Sequence, residues 1–142
     1  MISLRSQRIT PKSKQRIYYS DFTRDFDLNP VTGSVELLTN SDSIRQSIEN
    51  LVMTNKGERF YSPNVGSDVP RSLFELFDDL TGTKIQTYVT TVIQTYEPRA
   101  SALVVNVTVD MANNNYVVDI QFTPINIPGL VQTMQIVINR VR

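Results

Sequence analysis

The sequence predicts an α+β fold, in which three helices pack on a small antiparallel sheet and an irregular basic N-terminal arm leads in. Two observations carry this. Between residues 43 and 96 the apolar positions recur at helical spacing, and from residue 101 onward they alternate with period two. At 142 residues, 40% hydrophobic and 20% charged, the chain suits one core. No apolar run approaches the roughly 20 residues of a membrane span. We expect residues 1–34 to form the arm and an irregular lead-in, and residues 35–142 to form a single domain.

The arm reads "MISLRSQRITPKSKQR". It is basic but has no apolar centre of a signal peptide. The first 16 residues hold five bases (Arg5, Arg8, Lys12, Lys14, Arg16) and no acid, so the other 126 hold nine bases against 14 acids. Two readings remain open, a solvated terminus and an arm that orders on an acidic partner. Without a helical basic stripe or interleaved aromatics, nucleic acid is not the expected partner.

Pro30 and Gly33 punctuate the lead-in, and a short strand is expected at Val35–Leu38. The first helix spans Ser43–Thr54, with Ile44, Ile48, Leu51 and Val52 on one face, Ser41 or Asp42 as N-cap and Gly57 as its stop. A second is expected within "SDVPRSLFELFDDL". Asp68 caps it, Pro70 sits in the first turn, and Leu73, Phe74, Phe77 and Leu80 line one side. Thr81 and Gly82 are read as a break. The third helix then runs from Thr83 to Tyr96 with Ile85, Tyr88, Val89, Val92, Ile93 and Tyr96 inward. Pro98 sets its end, because a residue preceding proline, here Glu97, is pushed out of the α region.

Alternation follows in "ALVVNVTVD" (Leu103, Val105, Val107 and Val109 against polar neighbours) and in "YVVDIQFT" (Tyr116, Val118, Ile120 and Phe122), with "ANNN" as the turn. A last strand in "LVQTMQIVINRVR" has Leu130, Met134, Ile136 and Ile138 as inward candidates. No charged residue occurs from Ile120 to Asn139. Soluble proteins usually guard free strand edges with charge. Either both strands are interior to the sheet, or one edge is built to pair with a partner strand.

The chain lacks cysteine and histidine. That removes disulfides, thiolate metal ligands, Ser-His and Cys-His nucleophiles and nearly all zinc sites. No P-loop spacing surrounds Lys56 and Gly57. Glu58, Glu75, Asp78, Asp79 and Glu97 lie in or near the helical half, and glycoside hydrolysis needs only two carboxyl groups. A general acid must have a raised pKa, however, whereas Glu97 has Arg99 two residues away to hold it ionised. We expect no catalytic residue, no metal site and no cofactor.

Three motifs occur in order: "TNKGER" after the first helix, "GS" followed by "LFE" around the second, and "YEPR" before a Val-rich strand. Over about residues 40–142 this pattern resembles the baseplate wedge and sheath-initiator family of contractile phage tails, sometimes labelled lysozyme-like. Relatives serve contractile bacteriocins and type VI secretion systems. The resemblance implies a structural protein of the virion tail baseplate, assembled in the host cytoplasm in six copies. It implies docking of Glu97, Pro98 and Arg99 on the core bundle of the wedge, with internal bracing by Glu97 and Arg99 as the other reading. Lys56, Gly57, Glu58 and Arg59 are either a helix cap with polar neighbours or a contact to the wedge or tail tube. The sheet is similar to the strand-exchange domain of the tail sheath protein, so Gln132, Met134, Ile136 and Ile138 are the candidates for sheath strand pairing. The competing classes are a peptidoglycan-degrading glycosidase and the same subunit in a bacteriocin or secretion machine.

Overall fold

A computed structural model describes residues 19–127 and 129–139; the basic stretch up to residue 16 lies outside them. The order of elements is β1 (Ser20–Phe22), β2 (Leu37–Thr39), α1 (Ser41–Met53), α2 (Val69–Ser72), α3 (Asp79–Tyr96), β3 (Ala100–Asp110), β4 (Asn115–Pro124) and β5 (Gln132–Asn139). Helices and antiparallel sheets therefore mix as expected, but the strands form two sheets. β1 and β2 make a two-stranded ladder, and β3-β4-β5 a three-stranded meander with β4 in the centre.

One face of the meander meets the helices. Val105, Tyr116, Val118, Ile120, Phe122, Ile136 and Ile138 bury against Ile44, Ile48, Leu51, Val52, Ile85, Val89, Val92 and Ile93. α3 lies on β3 and α1 on α3. The alternation read from β3 and β4 points the expected side chains inward, although Leu103, Val107 and Val109 are only partly buried. Leu130 departs from expectation. It precedes β5 and is exposed, while Met134, Ile136 and Ile138 face the core.

Four helix boundaries also differ. α1 starts at Ser41, with Asn40 rather than Ser41 or Asp42 at the N-cap; Asn40 has φ of 52°, a region that asparagine tolerates better than most residues. Gly57 does not cap α1. Thr54 is the C-cap, its N–H donating to Asn50 O at 3.0 Å, and Gly57 turns the following loop with φ of 87°.

The second helix is only one turn. Asp78 takes an extended conformation, its Oδ1 accepts from Thr81 N at 2.8 Å, and Thr81 Oγ1 donates to Leu76 O at 2.8 Å, so a new helix starts at Asp79. The chain between α2 and α3 instead drives Phe77 against Tyr116, with ring centroids 4.8 Å apart, and leaves Phe74 exposed, as is Leu80 in the first turn of α3. Thr81 and Gly82 accordingly lie inside α3 and are buried. A Cβ on Gly82 would stand 3.3 Å from Val109 Cγ2, so this glycine gives the helix clearance to approach β3 rather than ending it. The cap makes a testable point. Asp78→Ala should lower the melting temperature by a few degrees, whereas Asp79→Ala, one position further on, should do less; equal effects in thermal melts would refute the capping role.

Candidate functional site

α3 ends where the chain must turn into β3. Glu97 N still donates to Ile93 O at 2.9 Å, but its backbone has left the helix (φ −123°, ψ 72°), as a residue before proline must. Ala100 N donates to Glu97 O at 3.2 Å and closes the turn. β3 then bulges. Ser101 pairs with Thr123 and Val104 with Gln121, so Ala102 and Leu103 share one partner position, with Ala102 at φ of 48°.

The turn folds Arg99 back on Glu97. Arg99 Nε and Nη2 donate to Glu97 Oε1 and Oε2 at 2.6 and 2.7 Å, a bidentate pair, and Ser47 of α1 also hydrogen-bonds the carboxylate. The Glu97 side chain is only 2% exposed, against 31% for Arg99. The guanidinium lies over the Tyr19 ring, 5.2 Å from its centroid, and Asn126 Nδ2 donates to Tyr19 Oη at 2.6 Å. Arg99 O accepts from Ile125 N at 3.0 Å. One short motif thus ties together α1, α3, β3, the β4–β5 loop and Tyr19 at the entry to β1.

Burial opposes ionisation of Glu97, but the bonds from Arg99 and Ser47 and the Arg99 charge outweigh it and hold the carboxyl below its ordinary value. The Glu97 bonds, set against the cost of burial, raise Arg99. Both groups stay charged near neutrality. A carboxylate in this state is a poor proton donor, the opposite of what a glycosidase acid requires. The geometry gives Glu97 the bracing arrangement, and the exposed part of Arg99 is what the motif offers outward.

The other predicted positions occupy loop 54–68. Its base is closed by Ser67 N donating to Thr54 O at 2.8 Å and Ser67 Oγ to Val52 O at 2.5 Å. Lys56 pairs with Asp68, Gly57 N donates to Pro63 O at 2.7 Å, and Glu58 Oε2 accepts from Asn55 N at 2.9 Å. Arg59 lines a hollow of about 360 Å³ with Asp21, Ser47, Asn50 and Tyr96. Ser47 belongs to both groups. The fold therefore brings the loop and the Glu97–Arg99 turn, nearly 40 positions apart in sequence, to one side of α1.

β5 is different in kind. Met134, Ile136 and Ile138 point into the core, and Gln132 Oε1 accepts from Arg45 Nη2 at 2.8 Å. β5 pairs with β4 on one side, and among the described residues no strand pairs with its other side. Of the two strands that share the uncharged run, the second half of β4 is interior and β5 lies at an edge. Sequence reasoning missed Tyr19, Ser47 and Asn126. None has a local signal, because each reaches the motif through tertiary packing.

A family model described as Baseplate wedge protein gp25 matches residues 39–126. The chain belongs to this family. Within it, the Baseplate wedge protein gp25 of Enterobacteria phage T4 is 30% identical over 94 residues, covering 66% of this chain and 71% of that protein. Family membership places the chain among the baseplate wedge proteins of contractile tail systems. Solved structures give the fold. A Geobacter sulfurreducens protein named as a proposed tail lysozyme superposes with a TM-score of 0.67 at 20% identity, covering 75% of this chain and 97% of that one. A chain of the anti-feeding prophage baseplate gives 0.59 at 22% identity, covering 87% of each. The lysozyme name carries no chemistry here, since likeness at this identity concerns the backbone alone.

Proposed function

We propose that this protein is a non-enzymatic wedge component of a contractile tail baseplate, with residues 35–142 as its working domain. It docks on the wedge core bundle through the Glu97-Pro98-Arg99 turn and the neighbouring Lys56–Arg59 loop, and it starts sheath polymerisation by accepting a strand at the free edge of β5. Gln132, Met134, Ile136 and Ile138 set the register of that pairing. Their side chains anchor β5 to the core, so the contact runs through the backbone. Six copies per baseplate in the virion tail, assembled in the host cytoplasm, fit this role. The observation that carries the reading is the edge position of β5 within a run that has no charged residue from Ile120 to Asn139.

Val137→Lys tests it. Val137 is exposed on the sheet face away from the helices, so lysine there should leave the fold intact while placing a charge on the edge. We expect the variant to enter baseplates normally and to yield tails without full-length sheath in electron micrographs. Sheaths of normal length and number, or an assembled baseplate in which the β5 edge faces solvent, would sink the proposal.

A further inference from the structure

Phe60 and Tyr61, at the tip of loop 54–68, have relative exposures of 98% and 102%. Two adjacent aromatics standing wholly in water are costly in a loop that has so much else to hold it in place. The support comes from every side. Besides its closed base, Ser62 N donates to Arg59 O at 3.3 Å and Val65 N to Ser62 O at 3.0 Å, and Tyr96 of α3 donates through its hydroxyl to Asn64 O at 2.7 Å. The tip is pre-organised before it meets anything, which reduces the entropy lost on binding.

Charge narrows the partner. Of the ionisable groups in the loop, Lys56 is paired with Asp68 and Glu58 holds a backbone N–H, which leaves Arg59 without an ion pair among the described residues. Arg, Phe and Tyr in succession present one unpaired cation beside two rings. Arginine and large aromatics are the side chains that anchor protein interfaces, filling apolar pockets while the charge meets a complementary group at the rim.

We propose that Phe60 and Tyr61 plug an apolar pocket on another baseplate chain, and that a carboxylate bordering this pocket pairs with Arg59. This rests on the baseplate reading above and extends it by naming the anchors and the chemistry of the surface they fit. A second copy of this chain is a poorer fit as occupant, because the acids that border its own two hollows are already engaged, Asp68 by its pairing with Lys56 and Asp21 by sharing its hollow with Arg59.

The test uses the full chain in assembled tails. A benzoylphenylalanine photo-crosslinker at position 60 is the probe, and a second probe at Ala112, in the exposed β3–β4 turn, is the control. We expect crosslinks from position 60 to a different baseplate chain, at a peptide with Asp or Glu within a few residues of its attachment point. The double variant Phe60→Ser with Tyr61→Ser should melt as the parent does, and enter tails at least about tenfold less. Arg59→Glu should reduce entry as well. Crosslinking to a second copy, to a peptide without an acidic residue, or no more than at Ala112, overturns the proposal, as does normal entry of the double variant. Absence of the chain from purified tails would overturn the baseplate reading with it; presence without crosslinking from position 60 overturns this inference alone.

Discussion

Arg99→Ala is expected to lower the unfolding free energy by about 3 kcal/mol or more at pH 7, the size seen when one partner of a buried ion pair is removed. The cost comes from what is left behind. Glu97 is nearly inaccessible to water, and without the bidentate donors only Ser47 remains as a side-chain partner for its carboxylate. Glu97→Gln should cost less, about 1 to 2 kcal/mol, because it removes the charge but keeps an acceptor for one Arg99 bond and leaves the cation partly in water. The pH dependence provides a check on cause. In the parent, the folded value of Glu97 lies below its ordinary 4.5, so the pair's contribution is complete above that pH and fades as pH falls through the depressed value. In Arg99→Ala burial acts almost alone and raises Glu97, so acidification neutralises the stranded charge and the deficit relative to the parent shrinks. Urea unfolding at pH 7 and pH 4 measures both. A deficit under 1 kcal/mol at pH 7, or one that grows in acid, would mean the pair is not a buried brace. Bracing and docking then separate in Glu97→Gln: a loss of baseplate entry far beyond its unfolded fraction assigns the motif a contact with a partner.

The parts of this fold that show in the sequence are those where burial on one side imposes a period. Ile44, Ile48, Leu51 and Val52 mark α1, and Ile85, Val89, Val92 and Ile93 mark α3, because each set is a single stripe facing the shared core. Tyr116, Val118, Ile120 and Phe122 mark β4 for the same reason at period two. "LFELF" misleads, since its spacing imitates a helix while two hydrogen bonds around Thr81 restart the chain at Asp79. Gly82 misleads in the opposite way. Its role is clearance from β3, a partner 27 residues further on, and nothing local distinguishes that from a helix break.

At the site, the Glu97–Arg99 pair is legible because two charges flank a proline at a helix end. Its closure is not. Tyr19, Ser47 and Asn126 reach the pair from three other elements, and a lone tyrosine, serine or asparagine has no distinguishing pattern in sequence. In sequence the "TNKGER" motif fits a helix cap or a contact surface, and in the fold its lysine and glutamate are spent on the loop's own closure. Left exposed are Arg59, the last residue of the motif, and Phe60 and Tyr61, which lie just beyond it.

That loop should collapse if Gly66 is replaced, and Gly66→Ala is expected to destabilise by about 3 kcal/mol, with loss of the loop's order. Gly66 has φ of 133°, where side chains are strongly disfavoured, and an added Cβ would lie 2.6 Å from Thr54 O and 2.9 Å from both the carbonyl carbon and oxygen of Asn55. These are backbone atoms immediately after α1, so no rotamer change relieves the clash. The strands of the loop base must part, and the bonds most exposed to that are Ser67 N to Thr54 O and Lys56 N to Ser67 O. Gly57→Ala is the informative comparison. It also has positive φ, but an added Cβ meets nothing within 4 Å, so it bears backbone strain alone, about 1 kcal/mol. Hydrogen exchange should show the amides of Ser67 and Gly57 losing protection in Gly66→Ala while those of β4 fall only with global stability. If Gly66→Ala and Gly57→Ala cost the same, conformational freedom explains both glycines and the close approach at the loop base is not what fixes the tip. If Gly66→Ala alone opens the loop, Phe60 and Tyr61 lose their fixed presentation without being touched, and entry into baseplates should fall even at temperatures where the rest of the chain remains folded.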